Sequence, residues 1–493
     1  MTAPIDRLTQ QKLDKLNALR AAGIEPYPYG YHRTHTTLQA LALVEQNKTS
    51  LAEQALGVNV AGRIVAKRGM GKTAFMDLRD GSGKIQLFFR VNNLPEKYQL
   101  LKEIDIGDIL GARGKLFLTR SGEPTIEVQD FVLLAKSLQP LPEKWHGLVD
   151  VEKRYRQRYL DLISNPPVKH TFEIRSRTIS AIREFLTRRD FLEVETPALQ
   201  PEAGGATARP FVTHHNALDR NLFLRIALEL HLKRLIIGGF DKVYEMGHVF
   251  RNEGIDFKHI PEYTLLETYE AYADYLDVMK MVEEMVSTVC QQVLGTLKVE
   301  FGGQTIDFTP PWKRLELRQA VLQYSGIDYD QYPDTASLRA EMARRSIVFD
   351  PSKERGRLID ELIGTFVDPN LIQPTILYDY PIEMSPLAKK KPGSDKVVER
   401  FEAYAGGMEI ANAFTELNDP LDQRQRFLKQ KEERAAGDEE VPETDEDFLL
   451  AMEHGMPPTG GLGVGVDRLV MLLTNQPSIR EVIFFPALKE KGD

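Results

Sequence analysis

The stretch RFEAYAGGMEIANAFTEL, Arg400 to Leu417, reads as two strands closed by a two-residue turn at Gly406-Gly407. Adjacent glycines supply the left-handed backbone such a turn needs, and the resulting hairpin is antiparallel. Pairing outward from the turn sets Tyr404 against Glu409 and Glu402 against Ala411, which brings Glu402 and Glu409 to one face. Strict alternation puts Asn412, Phe414 and Glu416 on the other face, so a bulge near Ile410-Ala411 is required if all five line one site. Taken singly, each carboxylate is more often a surface residue.

Similar runs recur on both sides. LFLRIA, KVYEMGHVFR, YTLLETYEAY and PTILYDYP are strand-like, mixed with helices such as ELHLKRLIIGG and the stretch from Tyr275 to Leu294. Long strands and tight turns without regular βαβ alternation predict an α+β domain, a mostly antiparallel sheet flanked by helices. His170 to Arg189 has helical periodicity and is followed by the strand FLEVE, stopped by Pro197. Nearer the N-terminus, VNVAGRIVAKR, AFMDLRD, KIQLFFR, ILGARGKLFLTR and TIEVQDFVLLA read as five strands. A DGSG turn joins the second to the third, and a helical piece, PEKYQLLKEI, follows the third. That is the layout of an OB-fold β-barrel, whose face commonly takes single-stranded nucleic acid. The expected division is a helical extension over 1–57, the barrel over 58–140, a linker over 141–160 around SLQPLPEKWHG, and the second domain over 161–493. The acidic run GDEEVPETDEDF, Gly437 to Phe448, reads as a solvated loop or helix end.

At 493 residues, with 42% hydrophobic and 27% charged, the composition is that of an ordinary globular protein of two or three domains. The single cysteine, Cys290, excludes an intrachain disulfide, and no Cys/His cluster has zinc spacing, which fits a reducing cytoplasm. No signal core and no run of about 18 apolar residues is present, so neither export nor membrane insertion is expected. The net charge of −9 hides an asymmetry: Met1 to Pro140 carries +5 and the rest −14. Arg63 to Arg90 holds seven basic and two acidic residues among Phe75, Phe88 and Phe89. This is either a footprint for a polyanion that offers bases to stack on or a solvated charged face.

Three segments carry chemistry. In FRNEGIDFKH, Phe250 to His259, continuation of the preceding strand would project Arg251 and Glu253 side by side, fit to grip one ligand; a surface ion pair before a Gly turn is the alternative. In YTLLETYEAY, residues Tyr263, Leu265, Glu267 and Tyr269 share a face and resemble a pocket wall. In GMPPTGGLGVGVDRLVMLLT, Gly455 to Thr474, the glycines permit close backbone approach to a ligand. Asp467 starts a helix there, with Arg468 in its first turn; a cation at that end opposes the dipole and needs an anionic partner. Two converging carboxylates, Glu402 and Glu409, would suit Mg²⁺ beside a phosphate.

Together these motifs resemble bacterial-type class II lysyl-tRNA synthetases from about Val58 to Pro486. The helix and strand ending at Pro197 look like the family's first motif, which builds its homodimer interface, FRNEG with HIPEYT like the second, and GGLGVGVDRLVML like the third. ARPFVTHHNALD, AYADY and FTELNDP are closer to the lysine enzyme than to its aspartate and asparagine relatives. Ile260, Tyr263, His248 and Leu228 stand where Asn, Phe, Arg and Pro are usual. The resemblance implies ATP with its adenine between Tyr263 and Arg468, Arg251 on the α-phosphate, Glu253 and His259 placing the nucleotide, and Mg²⁺ on Glu402 and Glu409. It gives the lysine α-amine to Glu229 and the Gly205 backbone and the carboxylate to Arg251 and Asn412. The ε-ammonium falls to Glu416, Tyr269 and Glu267, with Phe414 also in the pocket. Anticodon reading by the barrel falls to Phe75 and Gln86, with Arg63, Arg68 and Glu123 nearby. Competing readings are an aspartate or asparagine enzyme, which should face its acidic substrate with basic residues, and a silent RNA-binding paralogue, which should have lost Arg251 or Arg468. A truncated relative that lysylates a protein is disfavoured by the intact barrel.

Overall fold

Five strands, β1 (Gly57–Met70), β2 (Thr73–Arg79), β3 (Lys84–Arg90), β4 (Ile109–Leu118) and β5 (Pro124–Ala135), close into a barrel in the order β1-β2-β3-β5-β4. Their inward residues, among them Val60, Ile64, Met76, Leu78, Leu87, Ile126 and Val128, fill it. The computed structural model describes residues 6–142, 148–435 and 445–489. The helices Arg7–Ala21 and Thr37–Gln46, each started by a side-chain cap (Asp6 and Thr36), add Leu19, Ala40 and Val44 to the same core. The helical piece after β3 is a 3₁₀ turn, Tyr98–Lys102.

The chain divides into compact units at Leu148 and Val149. Residues 143–147, where the expected linker runs, and 436–444, which take in most of the acidic run, lie outside the described residues. Residues that the sequence leaves in the linker form helices Val151–Arg156 and Arg158–Ser164 of the second unit. The buried Arg158 guanidinium fixes them, donating to Asp161 Oδ2 at 2.6 Å and to Phe484 O at 3.0 Å.

The second unit is built on an eight-stranded sheet. Its order is Lys313–Glu316, Thr375–Pro381, Val397–Ala405, Met408–Thr415, Thr459–Gly465, Glu262–Ala271, Lys242–Phe250, Leu192–Glu193. Only the two edge pairings are parallel. FLEVE, expected as a full strand, contributes just Leu192–Glu193. Helices Pro166–Thr187 and Tyr275–Leu294 cover one face, where Ile182, Val282, Met285 and Val289 pack with Leu266, Ala411, Leu462 and Val464. The opposite face is left for the site.

The opening hairpin forms with its turn at Gly406 and Gly407, both at positive φ. Tyr404 opposes Glu409 but Ala403 opposes Ala411, so Ile410 is an extra residue: the bulge that parity demands. The inserted residue also corrects the outer pairing, for Glu402 faces Asn412 and not Ala411. Beyond the bulge, Asn412 and Phe414 turn to the side of Glu409, and all three line the same cavity with Glu416.

Candidate active site

The cavity over this sheet face measures about 1890 Å³. Its floor is a strand that turns Gly461, Gly463 and Gly465 to the groove while Leu462 and Val464 face the core. In Thr459–Gly465, Gly461 lies between Tyr269 and Phe414 on the neighbouring strands, and Gly463 between Glu267 and Asn412. The flanking strands therefore raise their side chains as walls around a groove. A Cβ on Gly461 would collide with the Glu416 carboxylate and come within 2.8 Å of the Tyr269 ring. Only glycine leaves that end of the groove open.

One end is acidic. Glu229, at the start of helix Glu229–Ile237, Glu267 and Tyr269 on Glu262–Ala271, and Glu416 just past Met408–Thr415 converge there, all buried yet lining the cavity. Glu267 accepts from Leu228 N at 3.1 Å and from the Tyr269 hydroxyl at 3.1 Å. A proline at 228, which the resemblance leads one to expect, would have no N–H to give. Burial first, and then the Glu229 charge, push the Glu267 carboxyl up to about 8. Burial likewise raises Glu229 and Glu416, whose charges repel one another and Glu267. Among the described residues neither Glu416 oxygen meets a hydrogen-bond partner, Oε2 having only an ionic contact with Lys233. Such a cluster stabilises ammonium groups. Gly205, at φ +85°, brings its backbone against Glu229, where an added Cβ would meet the Glu229 Cβ at 3.1 Å.

Arg251, Glu253, His259, Tyr263 and Arg468 line the other end. Lys242–Phe250 stops before Arg251, so the alternation argument for Arg251 and Glu253 fails; Glu253 N instead bonds to Arg251 O at 2.9 Å in a loop. The loop nonetheless leaves both on the cavity. The Arg251 guanidinium lies 5.5 Å from the centre of the Tyr263 ring. Arg468 does have the anionic partner that its place in the first turn of Val466–Leu473 requires: it donates to Glu409 Oε2 and Glu409 O, each at 3.0 Å. Its other N–H faces His259 Nε2 at 3.4 Å, which puts the imidazole proton on Nδ1 toward Asp256, 2.8 Å away. Asp467 accepts from Thr264 N at 2.7 Å and pairs with Arg175, tying that helix end to the adjoining strand.

Glu402 and Glu409 do not stand equally. Glu409 lines the cavity, whereas Glu402 stands behind it, accepting from Tyr380 and Tyr404 hydroxyls at 2.8 and 2.6 Å and from Arg400 at 2.6 Å. Burial and the Glu402 charge raise Glu409, and the same two causes push Asp368 up to about 7 and raise Asp360. A group of mutually repelling carboxyls is short of positive charge, and its oxygens suit a hard divalent cation. Among the described residues no set of three or more His, Cys, Asp or Glu side chains is arranged to hold a metal by itself. The protein offers two carboxylates, and a carboxylate with about four lone-pair sites keeps capacity beyond its present bonds.

On the barrel, Phe75 stacks on Phe88 with centroids 4.6 Å apart, and Arg90 lies over Phe88. Gln86 is held by Glu123 Oε2 at 3.2 Å and Thr125 Oγ1 at 3.1 Å, while Arg68 and Lys84 flank Asp77. Arg63 is not brought to this group; it donates to Gly107 O at 2.7 Å. The sequence reading also passed over Lys233, Arg400, Lys258 and Asp368. Lys258 and Arg400 line the cavity. Lys258 donates to Gly407 O at 2.8 Å and Arg400 to Asn412 Oδ1 at 3.1 Å.

A glycine-floored antiparallel sheet with an arginine raised from its last strand-to-helix junction is the arrangement that the resemblance to class II synthetases implies. Residues 150–489 match the family described as tRNA synthetases class II (D, K and N), and 58–134 match the OB-fold nucleic acid binding domain; the chain belongs to the class II tRNA synthetases. Within that class it is similar over its whole length to proteins named lysine–tRNA ligase. It is 58% identical to that of Dehalococcoides mccartyi (99% of each chain) and 54% to that of Moorella thermoacetica (98% of each). With the Bacillus subtilis protein it shares 49% (98% of this chain, 97% of the other).

Proposed function

We propose that the chain is a lysine–tRNA ligase, which activates L-lysine with ATP to lysyl-adenylate and pyrophosphate and then passes the lysyl group to the 3′ end of tRNA(Lys). The observation that carries this is the acidic end of the groove, where Glu229, Glu267 and Glu416 converge with Tyr269 beside the Arg251 and Arg468 end. Three carboxylates converging there would repel an aspartate side chain and leave an asparagine side chain without the charge they are placed to meet.

Arg251 and Asn412 hold the lysine carboxylate, Glu229 and the Gly205 backbone its α-amine, and Glu416, Glu267 and Tyr269 its ε-ammonium against Phe414. Tyr263 and Arg468 take the adenine, with Glu253 and His259 placing the phosphates. The lysine carboxylate, already ionised, attacks the α-phosphorus in line and pyrophosphate leaves, so no general base is needed. Positioning and charge neutralisation by Arg251 carry the rate. The terminal ribose hydroxyl of the tRNA then attacks the acyl carbon and AMP departs. Glu409 on the cavity, with Glu402 behind it, would hold Mg²⁺, which would supply further neutralisation of phosphate charge. Phe75, Gln86, Arg68 and Glu123 read the anticodon. The 170–197 segment, where Leu192 is 47% exposed, joins two copies into a homodimer. Among the described residues no helix is long and apolar enough to cross a membrane; the reaction proposed is one of the cytoplasm, where tRNA and ATP are both at hand. ATP-dependent lysylation of tRNA(Lys), read as acid-stable radiolabelled lysine, tests the reading; a chain that esterifies no lysine, or esterifies aspartate, rejects it.

A further inference from the structure

Behind the acidic end sits a basic residue that does not reach the cavity. Lys233, one helical turn after Glu229, is wholly buried. Its ammonium is 2.5 Å from Glu229 Oε1 and in ionic contact with Glu416 Oε2. The rings of Phe414 and Phe448 close the niche at 5.5 and 6.0 Å. One nitrogen thus holds one oxygen from each of two carboxylates, and those oxygens stand no more than about 5 Å apart. Glu416 Oε1 is left without a partner.

We propose that Lys233 is a positioning residue for amino-acid specificity: by clamping one oxygen of Glu229 and one of Glu416, it fixes the spacing between the carboxylate for the α-amine and the carboxylate for the side-chain ammonium. The inference rests on the lysine reading above. Burial alone would lower the Lys233 ammonium, but the two carboxylates more than offset this and hold it above its ordinary range, so it stays charged. Without it, two buried carboxyls would repel; one would take a proton or swing away, and Glu416 has no other donor to orient it. A pocket whose two ends can drift measures chain length poorly.

The test is pyrophosphate exchange by the full-length chain with lysine and with ornithine, one methylene shorter, at saturating ATP. Lys233→Met is expected to lower kcat/KM for lysine by roughly a hundredfold, to narrow the lysine-to-ornithine ratio by about tenfold or more, and to leave the KM for ATP within about twofold. A proportional loss on both amino acids, as a structural defect alone would give, overturns the proposal, and so does unchanged lysine kinetics. If Lys233→Met yields no folded protein, Glu416→Gln is compared with Lys233→Met/Glu416→Gln, the double change removing one charge of each sign. Since the clamp works only with both carboxylates in place, the second change should then narrow the ratio little further, and an additional tenfold narrowing overturns the clamp. A wild type that shows no lysine-dependent exchange would instead sink the functional reading itself.

Discussion

Replacing Gly461 with alanine adds one methyl group at the narrowest point of the groove. The strand register sets Gly461 between Tyr269 and Phe414, and the added Cβ would overlap the Glu416 carboxylate and stand 2.8 Å from Tyr269 Cε1. Glu416 must retreat by about 1 Å or more, and a displacement of that size at a positioned group costs about 100-fold in rate, or about 2.7 kcal/mol. Overpacking should add about 1–3 kcal/mol of destabilisation, read as a lower Tm. The nucleotide end is spared, because Tyr263 and Arg468 stand beyond Gly465. Lysine-dependent pyrophosphate exchange is therefore expected to lose about two orders of magnitude in kcat/KM for lysine with little change in the KM for ATP. Retention of kcat/KM within about threefold, in a variant of lowered Tm, would refute the placement of Glu416 and Tyr269 against this glycine.

Glu409→Gln should cut adenylate formation severely, by about 100-fold or more, while lysine binding measured alone barely changes; normal exchange at low Mg²⁺ would show Glu409 to be structural. Phe75→Ala is expected to weaken tRNA charging by about 1–3 kcal/mol in apparent binding and to leave pyrophosphate exchange intact, so equal loss of both activities would contradict a separate anticodon surface. Because the free Glu267 carboxyl is pushed up to about 8 by burial and by Glu229, an incoming ammonium must displace its proton below that pH. kcat/KM for lysine should rise by up to about tenfold per unit toward pH 8 and then level off, and a flat profile over that interval would remove ionised Glu267 from recognition.

Much of this was legible because short-range rules govern it. The Gly406-Gly407 turn fixes a register, and parity along Asn412, Phe414 and Glu416 calls for the bulge that Ile410 supplies. The first-turn cation Arg468 likewise calls for an anion, which is Glu409. Alternation misled at Arg251 and Glu253, since the strand ends one residue earlier and a loop has no period. It placed Glu402 on the right strand but could not show that Tyr380, from a distant segment, draws its carboxylate back from the cavity. Lys233 was missed for a different reason: a lysine four residues after a glutamate on a helix reads as an ordinary surface pair. The apolar residues around it in ELHLKRLII were the available signal, because a helix buried on nearly all sides leaves such a pair nowhere to be solvated.

Amino-acid-dependent pyrophosphate exchange, run with each of the twenty amino acids in turn, tests the central claim most directly, since it reads the groove without the barrel or the tRNA. Lysine alone should drive rapid exchange, because it brings an ammonium to each end of the Glu229–Glu416 pocket. Exchange driven by aspartate or asparagine, with lysine inert, would contradict the account.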